Sequence, residues 1–316
     1  MFISVAMCTW NRFHLLDQTL SAMSKLIIPE GLEWEIIVVN NNCTDDTDSI
    51  LTKYVEVLPI RRIFEPKQGL SNARNAAVTA ARGDYIIWTD DDVLVDERWV
   101  AAYVEAFRRW PDAVVFGGKV LPWFQVDPPP WLSQNIDWLG NCYALTDFGD
   151  EGIELELGKD PFGANMALKT DAQRLFGYNP ELGRKAKQMS GGEEVAVIRA
   201  LRSIGGLVVW VPESVVRHFI PTERMALDYI RSYYVGQGRF NSEPFDSSKR
   251  SVFGVPLWAF KNWLISELSW RICYVFCAKS KLWLKYMIRS ATIIGKICRD
   301  LSLYFKNKNI FKSHGK

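Results

Sequence analysis

No two cysteines in this chain stand in a C-x-x-C pair; the six present, Cys8, Cys43, Cys142, Cys273, Cys277 and Cys298, are scattered along it. That spacing suggests neither a zinc site nor a disulfide framework, so reduced thiols that mostly pack are expected. The opening MFISVAM lacks the basic start, apolar stretch and small-residue cleavage site of a secretory signal, and the expected location is the cytoplasm. No uncharged apolar run approaches the roughly 20 residues that span a bilayer. Nor is there an internal repeat.

What is there is a chain of 316 residues, 48% of them apolar, enough for one large domain or for a domain with an appendage. Its net charge of +2 conceals a division. Residues 251–316 hold 12 Lys or Arg against only Glu267 and Asp300, a balance of +10. Of the 38 basic and 36 acidic residues in all, 26 and 34 are therefore left in residues 1–250, a balance of −8. An acidic body with a basic tail implies an anionic partner for the tail, either a membrane surface or nucleic acid.

The first 120 residues alternate strand-like and helix-like patterns, the mark of an α/β domain with a mostly parallel sheet. Phe2–Met7 and Glu35–Asn40 read as strands, and between them Leu16, Leu20 and Met23 share one helical face. Ile60–Glu65 is expected to be a third strand, followed by an Ala-rich helix from Ser71 to Ala81 and a strand at Tyr85–Thr89. Asp96 is expected to cap a helix whose buried stripe is Val100, Tyr103, Val104 and Phe107. Residues 121–162, with DPPPWL and several Gly and Trp, read as irregular. GANMALK returns the chain to the sheet, and a helix over 191–204 stops at Gly205-Gly206. LVVWV then reads as a strand, with a short second strand reaching Val215–His218.

Parallel α/β sheets bind ligands beyond the carboxyl ends of their strands. Four such places here are unusually polar. Thr9-Trp10-Asn11-Arg12 follows the first strand, Asn40-Asn41-Asn42-Cys43-Thr44-Asp45 the second, Asp90-Asp91-Asp92 the strand at 85–89, and Arg217-His218 the last. Together they supply an aromatic face, amides, a cation and a metal cradle, all of which a nucleotide needs. Three adjacent carboxylates repel one another, and a bound divalent cation relieves that repulsion. A hard ion held by only one or two protein carboxylates keeps positions for water and phosphate oxygens, as magnesium or manganese on a diphosphate requires. An imidazole ligand from His218 tilts the site toward manganese.

With VAMCTWNR, EIIVVNNNCTDDT, GLSNARNAA, YIIWTDDDV, GANMALK, SGGEEV and VPESVVRH in this order and spacing, residues 2–222 resemble the family 2 glycosyltransferases. The resemblance implies a GT-A fold, Rossmann-like with a mostly parallel sheet and helices on both faces, and an inverting enzyme of the D-x-D type. It implies a nucleotide-diphosphate sugar as donor and a divalent cation, Mn2+ or Mg2+. A nucleotide-binding half is expected over 1–120 and an acceptor half over 121–222. By the family's pattern Asp92 and Asp90 hold the metal, with His218 as a third ligand, while Asp90 or Asp91 faces the ribose. Thr9, Trp10, Asn11 and Arg12 cradle the nucleotide together with Asn42 and Asp45 of the second loop, and Arg74 faces the nucleotide or its phosphates. Asn40 stands where the family usually has an Asp on the base, and Trp10 where Tyr is more usual. SGGEEV matches the family's acidic pair, with Glu194 at the position of the base that takes the acceptor hydroxyl's proton and Glu193 beside it. Ser190-x-x-Glu193 is also a capping box, which gives Glu193 a structural explanation.

Gly163-Ala164-Asn165 permits close backbone approach and is expected as a floor under sugar or acceptor, or else as a tight strand entry. Trp123, Trp131 and Trp138 stack on sugar rings or pack under a loop, and Arg239 is a candidate contact to the phosphate of a lipid-linked acceptor. In 223–316, Trp258, Trp263, Trp270 and Trp283 interleave with Lys281, Lys285, Arg289, Lys296 and Arg299. That pattern reads as amphipathic C-terminal helices, either peripheral on an anionic membrane at its inner face or packed with a solvated cationic side. The acceptor expected is a hydroxyl of a glycan on a lipid carrier, in the assembly of surface or extracellular polysaccharide. Two other readings compete. A sugar nucleotidyltransferase calls for a Gly-rich, Lys/Arg-bearing loop after the first strand, which TWNR is not. A non-catalytic binder holding nucleic acid by its tail conflicts with the acidic body and with the tail's Trp and aliphatic content, so nucleic acid is not an expected partner.

Overall fold

The computed structural model describes residues 1–181, 192–240, 243, 245–246, 250–276 and 281–313, with side chains as far as residue 305. The first elements in chain order are β1 (Phe2–Thr9), α1 (Phe13–Met23), β2 (Glu33–Asn40), α2 (Thr47–Tyr54), β3 (Ile60–Phe64), α3 (Leu70–Ala80) and β4 (Tyr85–Trp88). Then come β5 (Val93–Val95), α4 (Trp99–Arg109), β6 (Ala113–Phe124), two four-residue helices α5 (Pro130–Ser133) and α6 (Ile136–Leu139), and β7 (Met166–Lys169). The rest are α7 (Thr170–Arg174), α8 (Glu193–Ser203), β8 (Leu207–Ile220), α9 (Leu227–Phe240), the short β9 (Ser251–Val252) and β10 (Val255–Pro256), α10 (Leu257–Phe276) and α11 (Leu282–Ser313). The chain divides into two compact units, residues 1–125 with 138–220 and residues 126–137 with 221–316. Cys8, Cys43, Cys142, Cys273 and Cys298 are free thiols; Cys277 lies outside the described residues.

The first unit is an eight-stranded sheet in the order β3-β2-β1-β4-β7-β6-β8-β5, in which the β3-β2-β1-β4 run and the β6-β8 pair are parallel. Its strands are apolar on both faces because each face carries its own core. Ile3, Val5 and Met7 of β1 point to one side, among Leu16, Leu20 and Met23 of α1 and Val100, Tyr103, Val104 and Phe107 of α4. Ala6 points to the other, where Ala73 and Ala77 of α3 and Val197, Ile198 and Leu201 of α8 close the second core. The period of two along one strand thus serves two helical layers.

Three local expectations are corrected. β6 runs on through residues 121–124, where irregular structure is expected. It carries Gly117 and Gly118, which weaken β propensity, yet a methyl at Gly118 would collide with the Asn165 amide and the Ser214 carbonyl. β8 is one strand of 14 residues, not two short ones. Its register against β6 jumps from Gly118/Val211 to Lys119/Val215, so residues 212–214 form a bulge around Pro212, which has no N–H to give the ladder. Finally, Asp96 does not cap α4: its carboxylate accepts the Arg98 N–H at 3.0 Å, and Arg98 is the residue at the N-cap.

In the second unit, α9 and α11 cross at backbone contact, since a methyl at Gly238 would meet the Thr292 carbonyl and one at Gly295 the Val235 carbonyl. α10 lies antiparallel to α11, with Tyr274 against Trp283 at 5.2 Å and Ser290 donating to Glu267 at 2.6 Å. Trp131 meets Trp283 at 6.0 Å. Of the expected cationic stripe, Lys281, Lys285 and Arg289 are exposed. Lys296 lies over the Phe245 ring and Arg299 pairs with Asp300. The outer side of α10 is unexpected: Leu257, Leu264, Leu268, Ile272 and Val275 share one helical face and are all exposed, Val275 to 71%. Among the described residues no helix is long and apolar enough to cross a membrane.

Candidate active site

The site lies at the carboxyl ends of β1, β2 and β4, where the parallel order places three loops side by side. Asn11 and Asn42 both adopt left-handed backbone, with φ of 53° and 61°, a conformation Asn tolerates better than most residues. Asn11 Oδ1 accepts the Thr44 N–H at 2.8 Å, which ties the first loop to the second. Asp45 accepts the Phe13 N–H at the start of α1 and the Thr47 N–H at the start of α2, so its carboxylate holds two helix N-termini. Asn40 is buried and takes the Cys43 N–H on its oxygen while donating to Asp48. Asn40 and Asp45 thus build the loop from within, whereas Trp10 and Asn42 stand exposed at its rim. Thr9 is buried, and its carbonyl accepts the Asn41 N–H.

The Asp90–Asp92 turn is braced from below by Thr19 of α1, whose hydroxyl donates to the Asp91 carbonyl and accepts the Val93 N–H. β5 then pairs antiparallel with β8, Val93 opposite His218, and Phe219 donates its N–H to the Asp92 carbonyl. That pairing carries His218 to the triplet from 126 residues away in sequence. His218 Nδ1 donates to the Tyr143 carbonyl at 2.6 Å, so Nε2 faces Asp92 Oδ1 at 3.4 Å. Burial disfavours the His218 cation, but the Asp92 carboxylate beside it outweighs that and raises its pKa. Ligand atoms of Asp90, Asp92 and His218 all lie within 4.8 Å of one another. Two carboxylates and an imidazole whose second nitrogen is already fixed could hold a divalent metal ion.

Arg12 Nη1 reaches Asp91 at 3.1 Å and Asp92 at 2.9 Å. Both carboxylates are nearly enclosed, while Arg12 is 39% exposed. Burial pushes the Asp91 carboxyl up to about 7 against the opposing effect of Arg12.

Arg74 rises from α3 into the opposite wall and packs against Trp88 and Tyr178, its guanidinium 5.9 and 5.4 Å from their ring centres. It donates to Glu193 at 3.0 Å, pairs closely with Glu194, and lies 3.9 Å from Asp90. Burial disfavours the Arg74 cation, but these carboxylates, Glu194 foremost, hold its pKa above the ordinary value. Glu193 is buried on this arginine; Ser190, the other half of the expected capping box, lies outside the described residues. Glu194 is partly open to the cleft. Gly163 backs the pair, and a methyl there would overlap both Glu194 and Arg74. Asn165 is no floor for a ligand: its amide is saturated by Trp99, Tyr103 and Ser214 on the oxygen and by the Lys119 and Ser214 carbonyls on the nitrogen. Trp123 packs on Phe219 at 4.9 Å, and Trp138 is exposed. The residues that sequence reasoning missed are Trp88 and Tyr178 around Arg74, Thr19 under the triplet, and the Tyr143 carbonyl on His218. Only Trp88, next to the acidic triplet, had a signal that could have been read.

Residues 4–154 match the family described as Glycosyl transferase family 2. Among curated proteins, the glucosyl-dolichyl phosphate glucuronosyltransferase of Haloferax volcanii is 25% identical over 253 residues, 76% of this chain and 76% of that protein. The succinoglycan biosynthesis protein ExoM of Rhizobium meliloti is 25% identical over 249 residues, 76% of this chain and 75% of its own length. Among solved structures, the mannosyltransferase PcManGT of Pyrobaculum calidifontis, in complex with GDP-Man and Mn2+, matches with a TM-score of 0.61 at 15% identity. It covers 95% of this chain and 86% of its own. TarS 1–349 of S. aureus, in complex with UDP, matches at 0.54 with 16% identity over 90% of this chain and 75% of its own. At such identities these two report the fold.

Proposed function

We propose that this chain, a family 2 glycosyltransferase of GT-A fold, moves a sugar with inversion from a nucleotide-diphosphate sugar to a hydroxyl of a lipid-linked glycan. The observation that carries the reading is the convergence of two halves of a reaction on one arginine. Arg74 touches Glu194 on one side and approaches Asp90 of the Asp90/Asp92/His218 cluster on the other. Glu194, partly open to the cleft, is the group to accept the acceptor hydroxyl's proton as its oxygen attacks the anomeric carbon. Arg12 and Arg74 are placed to stabilise the negative charge left on the departing diphosphate. A divalent ion held by Asp90, Asp92 and His218 supplies Lewis-acid neutralisation of that same charge when bound.

The relatives support the acceptor class, because one is named for a glucosyl-dolichyl phosphate substrate and another for succinoglycan biosynthesis. The second unit supports it as well. The exposed face of α10 joins five aliphatic side chains, its acid Glu267 is already bound by Arg231, Arg271 and Ser290, and Lys281, Lys285 and Arg289 lie exposed on the neighbouring α11. Such a face suits the headgroup boundary of an anionic bilayer, where a lipid carrier resides. The test is a thermal-shift panel of nucleoside diphosphates with and without Mn2+, repeated on Asp92→Asn. Stabilisation by one nucleotide only when the ion is present, lost in Asp92→Asn, is the expected result. Equal stabilisation without any divalent ion overturns the site.

A further inference from the structure

Arg12 Nη1 donates to one oxygen of Asp92 at 2.9 Å, and the other oxygen faces His218 Nε2 at 3.4 Å. The same Arg12 nitrogen bridges to Asp91 at 3.1 Å. Arg12 therefore sits on the solvent side of two nearly enclosed carboxylates, one of them a member of the metal-competent cluster. Its backbone is pinned on both flanks. Asn11 before it bonds to Thr44, and Phe13 after it bonds to Asp45, so only the side chain is left to move.

We infer that Arg12 is a resident counter-cation that holds Asp92 in place of the divalent ion, and that donor binding draws it from the carboxylates to the diphosphate. This rests on the metal assignment made above. The charges support it. Arg12 already meets the negative charge of Asp92, and a divalent ion brought in while Arg12 stays put places two like charges on one carboxylate. Releasing Arg12 removes that repulsion, and a diphosphate is the ligand whose oxygens suit a guanidinium fork. Ion and donor then favour each other, while the ion alone binds weakly.

The experiment titrates Mn2+ alone into the full chain and follows free Mn2+ by electron paramagnetic resonance, for wild type, Arg12→Gln, Arg12→Lys and Asp92→Asn. Arg12→Gln should bind Mn2+ at least about tenfold more tightly than wild type, since an opposing charge has gone. Arg12→Lys should fall between, because Lys keeps the charge but is a flexible point charge without the planar guanidinium that fixes it on these carboxylates. Damage to the fold does not tighten metal binding, so a gain separates the proposed role from a structural one. If Arg12→Gln does not fold, Arg12→Lys alone decides. Variants that bind Mn2+ no better than wild type, while Asp92→Asn loses it, overturn the inference and leave the metal site standing. Binding that is unchanged in Asp92→Asn removes the metal site itself.

Discussion

Gly163→Ala is the smallest change that separates the candidate base from its support. A methyl at this position lies within contact-breaking distance of Glu194 Oε1, Glu194 Cδ and Arg74 Nη2. Arg74 is the less free to yield, being enclosed against Trp88 and Tyr178 and bonded to Glu193. Glu194 can yield, because its carboxylate is the far end of a flexible side chain at the cleft. The methyl is therefore accommodated by turning Glu194 away from Arg74. Overpacking of this kind costs about 1–3 kcal/mol, which in a unit of this size lowers Tm by roughly 2–9 °C. If Glu194 is the base, kcat falls by about 10²–10⁴ as for loss of general-base catalysis, whereas nucleotide affinity is unchanged because no donor contact has moved. The assays are differential scanning fluorimetry and single-turnover transfer with labelled donor. Glu194→Asp, one methylene shorter, should recover part of the stability lost in Gly163→Ala. A Gly163→Ala protein with wild-type Tm and wild-type turnover refutes the packing argument and the role of Glu194 together.

Glu194→Gln should keep nucleotide binding and lose turnover by about 10²–10⁴, while Glu193→Gln should mainly lower stability, since it weakens a buried partner of Arg74; the opposite pattern reverses the two roles. Glu267 is pulled down to about 2 because Ser290, Arg271 and Arg231 outweigh its burial. A depressed carboxyl stabilises the fold above its unfolded pKa, and that contribution fades as pH falls from 4.5 toward 2. Glu267→Gln should therefore lower stability in chemical denaturation at pH 7 and progressively less below pH 4; an equal cost at both pH values contradicts the assignment. Leu268→Glu on the exposed face of α10 should abolish flotation with vesicles of anionic phospholipid, and wild-type protein that binds neutral and anionic vesicles equally argues against the cationic contribution of Lys281, Lys285 and Arg289.

The site was legible wherever chemistry sits at a strand end. Short continuous apolar runs locate β1, β2 and β4, and the residues that follow them are the polar ones, so Thr9–Arg12, Asn40–Asp45 and Asp90–Asp92 could be placed together from their places after those runs. His218 is legible as a neighbour of the triplet; what escapes is the antiparallel return that brings it there. β5 is three residues long and below what periodicity detects, yet its pairing with β8 is what sets His218 against Asp92. β6, with two glycines at its centre, has a composition that argues against a strand until the Asn165 amide and Ser214 carbonyl are seen crowding it.

Electrostatics escaped for a related reason. Read singly, Arg12 and Arg74 are donor ligands; in the fold each already neutralises acids, Arg12 on Asp91 and Asp92, Arg74 on Glu193 and Glu194. Five carboxylates, those four and Asp90, face two guanidiniums across this cleft. Burial relieves part of that negative excess by raising the carboxyls of Asp90 and Asp91, and a divalent ion would relieve more. On the proposed reading, an approaching diphosphate is repelled until a cation shares the site, and Arg12 can turn to it only by leaving a carboxylate. If the metal and donor assignments proposed above hold, the acidic cluster is both cradle for the ion and gate on the anion, because the charges that attract the one repel the other.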